Sequence, residues 1–165
     1  MEISCDGIVD GRILDRFGSK GTEFASGDMP SRSLPLKIEG APAGTASYAI
    51  VFDDPDSAPV CGFKWIHWVV AGLRKTVLPE NASREDPSLI QGCNDWLNHG
   101  VEDRLEASFY GGPAPPDKEH TYVLTVYALD FVPALRNGFK LEDLMKVSKD
   151  HILAKCTLKG TYSPA

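Results

Sequence analysis

Residues 120–129, His120-Thr121-Tyr122-Val123-Leu124-Thr125-Val126-Tyr127-Ala128-Leu129, read as one β-strand, and their pattern decides the fold class. β-Branched and aromatic side chains dominate the run. Apolar residues fall on both faces, as in a central strand covered from two sides. Two runs of the same character come earlier, at residues 46–52 and 63–70. Weaker strand candidates lie at 7–14, 34–38 and 105–110, and residues 154–162 alternate cleanly. One stretch has a helical period: over residues 140–153, Leu141, Leu144, Met145, Ser148 and Ile152 share a face. Short strands, turn signals at Asp54-Pro55, Pro42-Ala43-Gly44 and Pro113-Ala114-Pro115-Pro116, and one late helix predict a mainly β fold. The architecture expected is a Greek-key antiparallel β-sandwich with a C-terminal α-helix. Residues 79–104 are polar and without a period, the mark of a functional loop, with a helical turn expected at 86–91.

A chain of 165 residues fits one domain, 1–165, with a single core. Its 17 basic and 23 acidic residues give a net charge of -6, which supplies no field to draw nucleic acid or an anionic membrane. No apolar run approaches the roughly 18 residues of a membrane span, so no integral membrane contact is expected. Met1 to Asp6 has neither a basic nor an apolar leader region, and the expected location is the cytoplasm. The cysteines at 5, 61, 93 and 156 form no CxxC pair, so neither metal nor cofactor is expected. Phosphate-loop, dinucleotide, HExxH and GxSxG signatures are absent.

Two clusters carry the polar chemistry. The first is Asp53-Asp54-Pro55-Asp56-Ser57-Ala58-Pro59 with Trp65-Ile66-His67-Trp68 downstream. Carboxylates at the end of an apolar strand, on a loop stiffened by two prolines, project from the rim of a sheet. Strict alternation puts Trp65 and His67 on one face of the next strand and Ile66 and Trp68 on the other. The second cluster is Tyr110-Gly111-Gly112-Pro113-Ala114-Pro115-Pro116, leading to His120 and Tyr122 on one strand face. Two glycines allow successive backbone amides to converge on an anion. Each cluster also has a purely structural explanation: Asp-Pro starts capped turns, a strand histidine can be a satisfied core residue, and Gly/Pro segments make rigid turns.

Taken together and in order, Asp54-Pro55-Asp56, Trp65-x-His67-Trp68, Tyr110-Gly111-Gly112-Pro113-x-Pro115-Pro116 and His120-x-Tyr122 resemble the phosphatidylethanolamine-binding proteins, in particular their bacterial Raf-kinase-inhibitor-like branch. Asn94-Asp95 resembles a pair in the bacterial members. The resemblance implies a β-sandwich with an anion pocket at one end, binding phosphate or a phosphoethanolamine-like group, in a protein that regulates or inhibits others. Carried over, the pocket is Asp54, Asp56, Trp65, His67, Gly112, Pro113, His120 and Tyr122. A homodimer and a protein partner are also implied. The chain departs from the family pattern at Ser57, an inserted residue, and at Lys118 and Thr121, where the family has Gly and Arg.

Phosphate beside two carboxylates demands donors. The expectation is that His67 and His120 donate to the anion together with amides near Gly112, with Trp65 as a wall and one Asp taking a proton from the ligand. Binding should then strengthen from about pH 7.5 to pH 6 as histidine gains charge. The rival reading is a hydrolase of phosphate or carboxylic esters using the same His/Asp pocket, with Cys61 as a thiol nucleophile.

Overall fold

The computed structural model describes residues 1–165. Ten strands form: β1 (Glu2–Ser4), β2 (Ile8–Val9), β3 (Arg12–Ile13), β4 (Leu36–Glu39), β5 (Ser47–Asp54), β6 (Trp65–Leu73), β7 (Val77–Leu78), β8 (Ile90–Gln91), β9 (His120–Leu129) and β10 (Ile152–Tyr162). Three short helices accompany them: α1 (Ala58–Cys61), α2 (Ala82–Glu85) and α3 (Leu141–Ser148). A seven-stranded sheet runs in the order β2-β3-β10-β9-β5-β6-β8, and a three-stranded sheet in the order β1-β4-β7. The pairings are antiparallel except that β3 lies parallel to β10. The fold is mainly β with one C-terminal helix of two turns.

The two-faced patterns of β5 and β9 now have their cause. Tyr48, Ile50, Phe52, Tyr122, Leu124 and Val126 join the larger core, where Leu36, Ile38 and Leu78 of the small sheet cover them. Ala49, Val51, Val69 and Leu129 point the other way, onto Phe139 and Leu144 of the α3 region. The large sheet is therefore the middle of three layers, and its central strands are hydrophobic on both sides. No helix is long and apolar enough to cross a membrane.

Four local expectations need correction. Residues 7–14 form a hairpin, not one strand, because Asp10 and Gly11 both take positive φ (50° and 76°), as a tight two-residue β-turn requires. Residues 105–110 form no strand. Their backbone closes into a local turn, with the Ala107 and Ser108 amides donating to the Asp103 and Leu105 carbonyls (both 3.0 Å), and side chains hold the rest: Asp103 Oδ1 accepts from the Leu105 amide (2.8 Å), Asn94 Nδ2 donates to the Phe109 carbonyl (2.9 Å) and Ser83 Oγ accepts from the Tyr110 amide (2.8 Å). The helical turn expected at 86–91 falls instead at Ala82–Glu85 and stops at Asp86, which precedes Pro87 and is extended (φ −106°, ψ 97°). Finally α3 ends at Ser148, because Ile152 is already paired with Leu129 in β10.

Candidate functional site

β5 and β9 run antiparallel, so the C-terminal end of β5 lies beside the N-terminal end of β9, and β6 begins at the same edge of the sheet. Asp54, Trp65, His67, His120 and Tyr122 are thereby brought to one end of the molecule. A cleft of about 270 Å³ opens there, lined by these five and by Ser57, Cys61, Trp96 and Pro116 among others. No lysine or arginine lines it.

A β-bulge aims His67. Phe52 pairs with Trp68 and Asp53 with Ile66, which leaves His67 as the extra residue on β6. The bulge also corrects the strict alternation: Trp68 packs with Phe52 and Tyr110 on the same side as His67, while Ile66 faces the α3 side. Ser57 makes the loop self-consistent. Its hydroxyl lies 2.9 Å from the Asp54 carbonyl and 2.8 Å from that of Phe63, and accepts from the Trp65 amide at 2.8 Å.

The two histidines are both nearly inaccessible but differ in state. His67 donates from Nδ1 to the Gly111 carbonyl at 2.6 Å, since a carbonyl can only accept. Burial among Phe52, Trp96 and Tyr122 lowers its pKa to about 4, so the ring is neutral at pH 7. Its Nε2, with no partner in the protein and not sealed off from solvent, is an acceptor open to the cleft. His120 has carboxylates on both nitrogens: Asp54 Oδ2 at 2.7 Å from Nδ1 and Asp117 Oδ1 at 2.7 Å from Nε2. Burial opposes its charge, but the two carboxylates outweigh that and hold its pKa above the usual histidine value. With a carboxylate accepting at each nitrogen, both nitrogens carry hydrogen, which makes His120 the cationic group of the cleft.

Burial lifts the Asp54 carboxyl above its ordinary range, with the His120 bond and the Asp56 amide (3.0 Å) pulling it back. Tyr122 ionises far above its usual range because of burial and the nearby Asp54, and so remains a neutral O–H donor. The Trp65 indole N–H is buried without a partner, and the ring packs edge-on to Trp96 at 5.2 Å.

Three expected site residues lie outside the lining. Asp56 Oδ2 accepts from the Thr121 amide (2.8 Å), tying the loop to β9. Gly112 and Pro113 are clamps for the N-terminal segment: the Gly112 amide donates to the Pro30 carbonyl (2.9 Å), and the Pro113 carbonyl accepts from the Ser19 amide (2.8 Å). A Cβ at Gly112 would collide with the Phe17 carbonyl and the Pro30 ring, so this glycine is needed for packing. The Gly111 amide is likewise spent on the His67 carbonyl (2.9 Å). The amides expected to cradle an anion are therefore already occupied. The expectation that His67 acquires charge between pH 7.5 and 6 is also corrected, by its burial.

Trp96 is a lining residue that strand patterns did not single out. Asn94 Oδ1 accepts its amide (2.9 Å), and Asp95 Oδ2 accepts the Ile66 amide (2.6 Å), which anchors the long loop to β6. A tryptophan within a long polar loop was the available signal. Cys61 also lines the cleft, with its thiol directed to the Phe63 carbonyl (3.2 Å) and not to a histidine. No group of three or more His, Cys, Asp or Glu side chains is gathered to hold a metal ion.

Comparison with known proteins extends these observations. Residues 6–163 match the profile of the phosphatidylethanolamine-binding protein family. The Bacillus subtilis protein YxkA is 43% identical over 135 residues, covering 79% of this chain and 80% of its own. The solved structure of Chlamydia trachomatis CT736, described as a homologue of the family, aligns with a TM-score of 0.79 at 28% identity, covering 99% of this chain and 97% of its own. Escherichia coli YbcL shares the fold, with a TM-score of 0.77 at 23% identity over 99% and 98% of the two chains.

Proposed function

Because the chain belongs to the phosphatidylethanolamine-binding protein family, we propose that it binds a phosphate or phosphomonoester, phosphoethanolamine-like, in the cleft at the end of its large sheet. One observation carries the reading: Asp54, Trp65, His67, His120 and Tyr122, drawn from separate strands, line a single cleft of about 270 Å³.

The donors and acceptors of the cleft choose the form of the ligand. Tyr122 and the His120 imidazolium are donors, whereas neutral His67 Nε2 can only accept. A ligand that both accepts and donates therefore fits best, such as a monoanion with one P–OH directed at His67. A phosphomonoester loses its second proton at a pKa of about 6. Binding then strengthens from pH 7.5 to pH 6 because the ligand gains a proton, while His67 stays neutral throughout. Trp65 and Trp96 wall the remaining side with apolar surface.

Titration calorimetry with orthophosphate and phosphoethanolamine at pH 6 and 7.5 tests this. The expected result is saturable binding, tighter at pH 6, and weakened about fivefold by Tyr122→Phe, the worth of one neutral hydrogen bond. A folded protein that takes up neither ligand overturns the proposal. A cytoplasmic homodimer that regulates another protein is part of the same reading, and sedimentation equilibrium tests the dimer.

A further inference from the structure

The cleft has one cationic group, and both of its N–H bonds are taken. Asp54 accepts from Nδ1 of His120 and is itself buried, so that bond is part of the fold. Asp117 differs. Its carboxylate accepts from Nε2 at 2.7 Å, yet its side chain is 43% exposed. It follows the rigid Pro115-Pro116 pair, and Pro116 and His120, on either side of it in the chain, both line the cleft while Asp117 does not.

With Asp117 in place, few donors remain for an anion. The amides of Gly111 and Gly112 are spent on backbone carbonyls, no lysine or arginine lines the cleft, and His67 Nε2 is an acceptor. Apart from His120 and the Ser57 and Cys61 groups already directed at loop carbonyls, the side-chain donors there are the Trp65 indole N–H, which is buried, and the Tyr122 hydroxyl, which lies against Asp54, facing at least three acceptor oxygens on a phosphate-type ligand. A charge-assisted hydrogen bond from an imidazolium is the strong contact such a ligand needs. It can be had only from His120 Nε2.

We infer that Asp117 is a tethered anion occupying the position on His120 that a ligand oxygen must take, so that anion binding is an exchange of one carboxylate for another acceptor. The inference rests on the proposed anion cleft. The exchange is cheap, because a half-exposed carboxylate released into water recovers its hydration and a solvent-facing ion pair contributes little. Asp117 thus sets the affinity threshold of the cleft: weak anions do not displace it, and those that fill the rest of the cleft do.

Calorimetry with orthophosphate at pH 6.5 on the intact chain tests the exchange, using Asp117→Ala, Asp117→Asn and Glu119→Gln. The last removes an exposed negative charge two residues away without freeing Nε2, and so measures the through-space effect alone. The expected order is a gain in affinity of about tenfold for Asp117→Ala, a smaller gain for Asp117→Asn, whose amide oxygen can still accept from Nε2, and under about twofold for Glu119→Gln. Equal affinity in the natural chain, Asp117→Ala and Glu119→Gln overturns it while leaving the anion cleft intact. Absence of binding in every variant overturns both.

Discussion

His67 and His120 lie in the same cleft, exposed by only 3% and 1%, and yet the structure gives them different protonation states. His67 is the extra residue of a bulge and sits among Phe52, Trp96 and Tyr122, with one carbonyl as its partner. His120 opens β9 between two carboxylates. Burial alone lowers the pKa of both, and partners decide which one stays charged. Equal burial therefore does not imply equal electrostatics. One cleft holds both a neutral acceptor and a cationic donor.

The contrast is broken most severely at Asp54. Asp54→Ala leaves the His120 imidazolium buried with a single, half-exposed partner, and the expected cost is about 4 kcal/mol at pH 7 by urea unfolding. The His120 titration, followed by NMR, should fall at the same time. A loss below about 1 kcal/mol would mean that His120 is not charged in the native state.

A second test uses pH, with the two rings acting on opposite limbs. His67 has a depressed folded pKa of about 4, so its contribution is present above the unfolded value near 6.5 and is lost as pH falls through 4. The loss is on the order of 3 kcal/mol. His120 has a raised folded pKa, so its contribution is full below about 6.5 and is lost as pH rises through the folded value. His67→Asn, whose amide can still donate to the Gly111 carbonyl, should flatten the acid limb and leave the alkaline limb unchanged. An unaltered acid limb would place the proton uptake elsewhere.

The smallest effect should come from a residue that holds the loop without touching either ring's charge. Ser57→Ala removes the hydroxyl shared by the Asp54 and Phe63 carbonyls and the Trp65 amide, at about 1.5 kcal/mol in unfolding experiments. Both histidine titrations should stay where they are. A shift in either would show that the loop, and not the local partners, sets the charge.

Much of the site was legible because its residues sit on regular strands. Period-2 reading put His120 and Tyr122 on one face, and Trp65 and His67 on one face, and both pairs line the cleft. The same reading failed for Trp68, since a bulge inserts one residue and alternation cannot register it. The separate expectation of converging amides failed for the glycine pair. Gly111 and Gly112 could present free amides in isolation, but the Pro30 and His67 carbonyls claim them, and both acceptors are distant in the chain. The strand expected at 105–110 was lost for a related reason, since a local turn and the Ser83 and Asn94 side chains satisfy that backbone.

What the amino-acid order determined by itself is the β-rich class, the central strands and the set of polar residues that gather at one end, because side-chain periodicity and burial are local properties of a strand. Tertiary structure alone decided which histidine carries the charge, which amides remain free and that Asp117 closes the last donor of His120. Hydrogen-bond partnership and desolvation depend on groups that meet only after folding, from positions as far apart as Asp54 and His120.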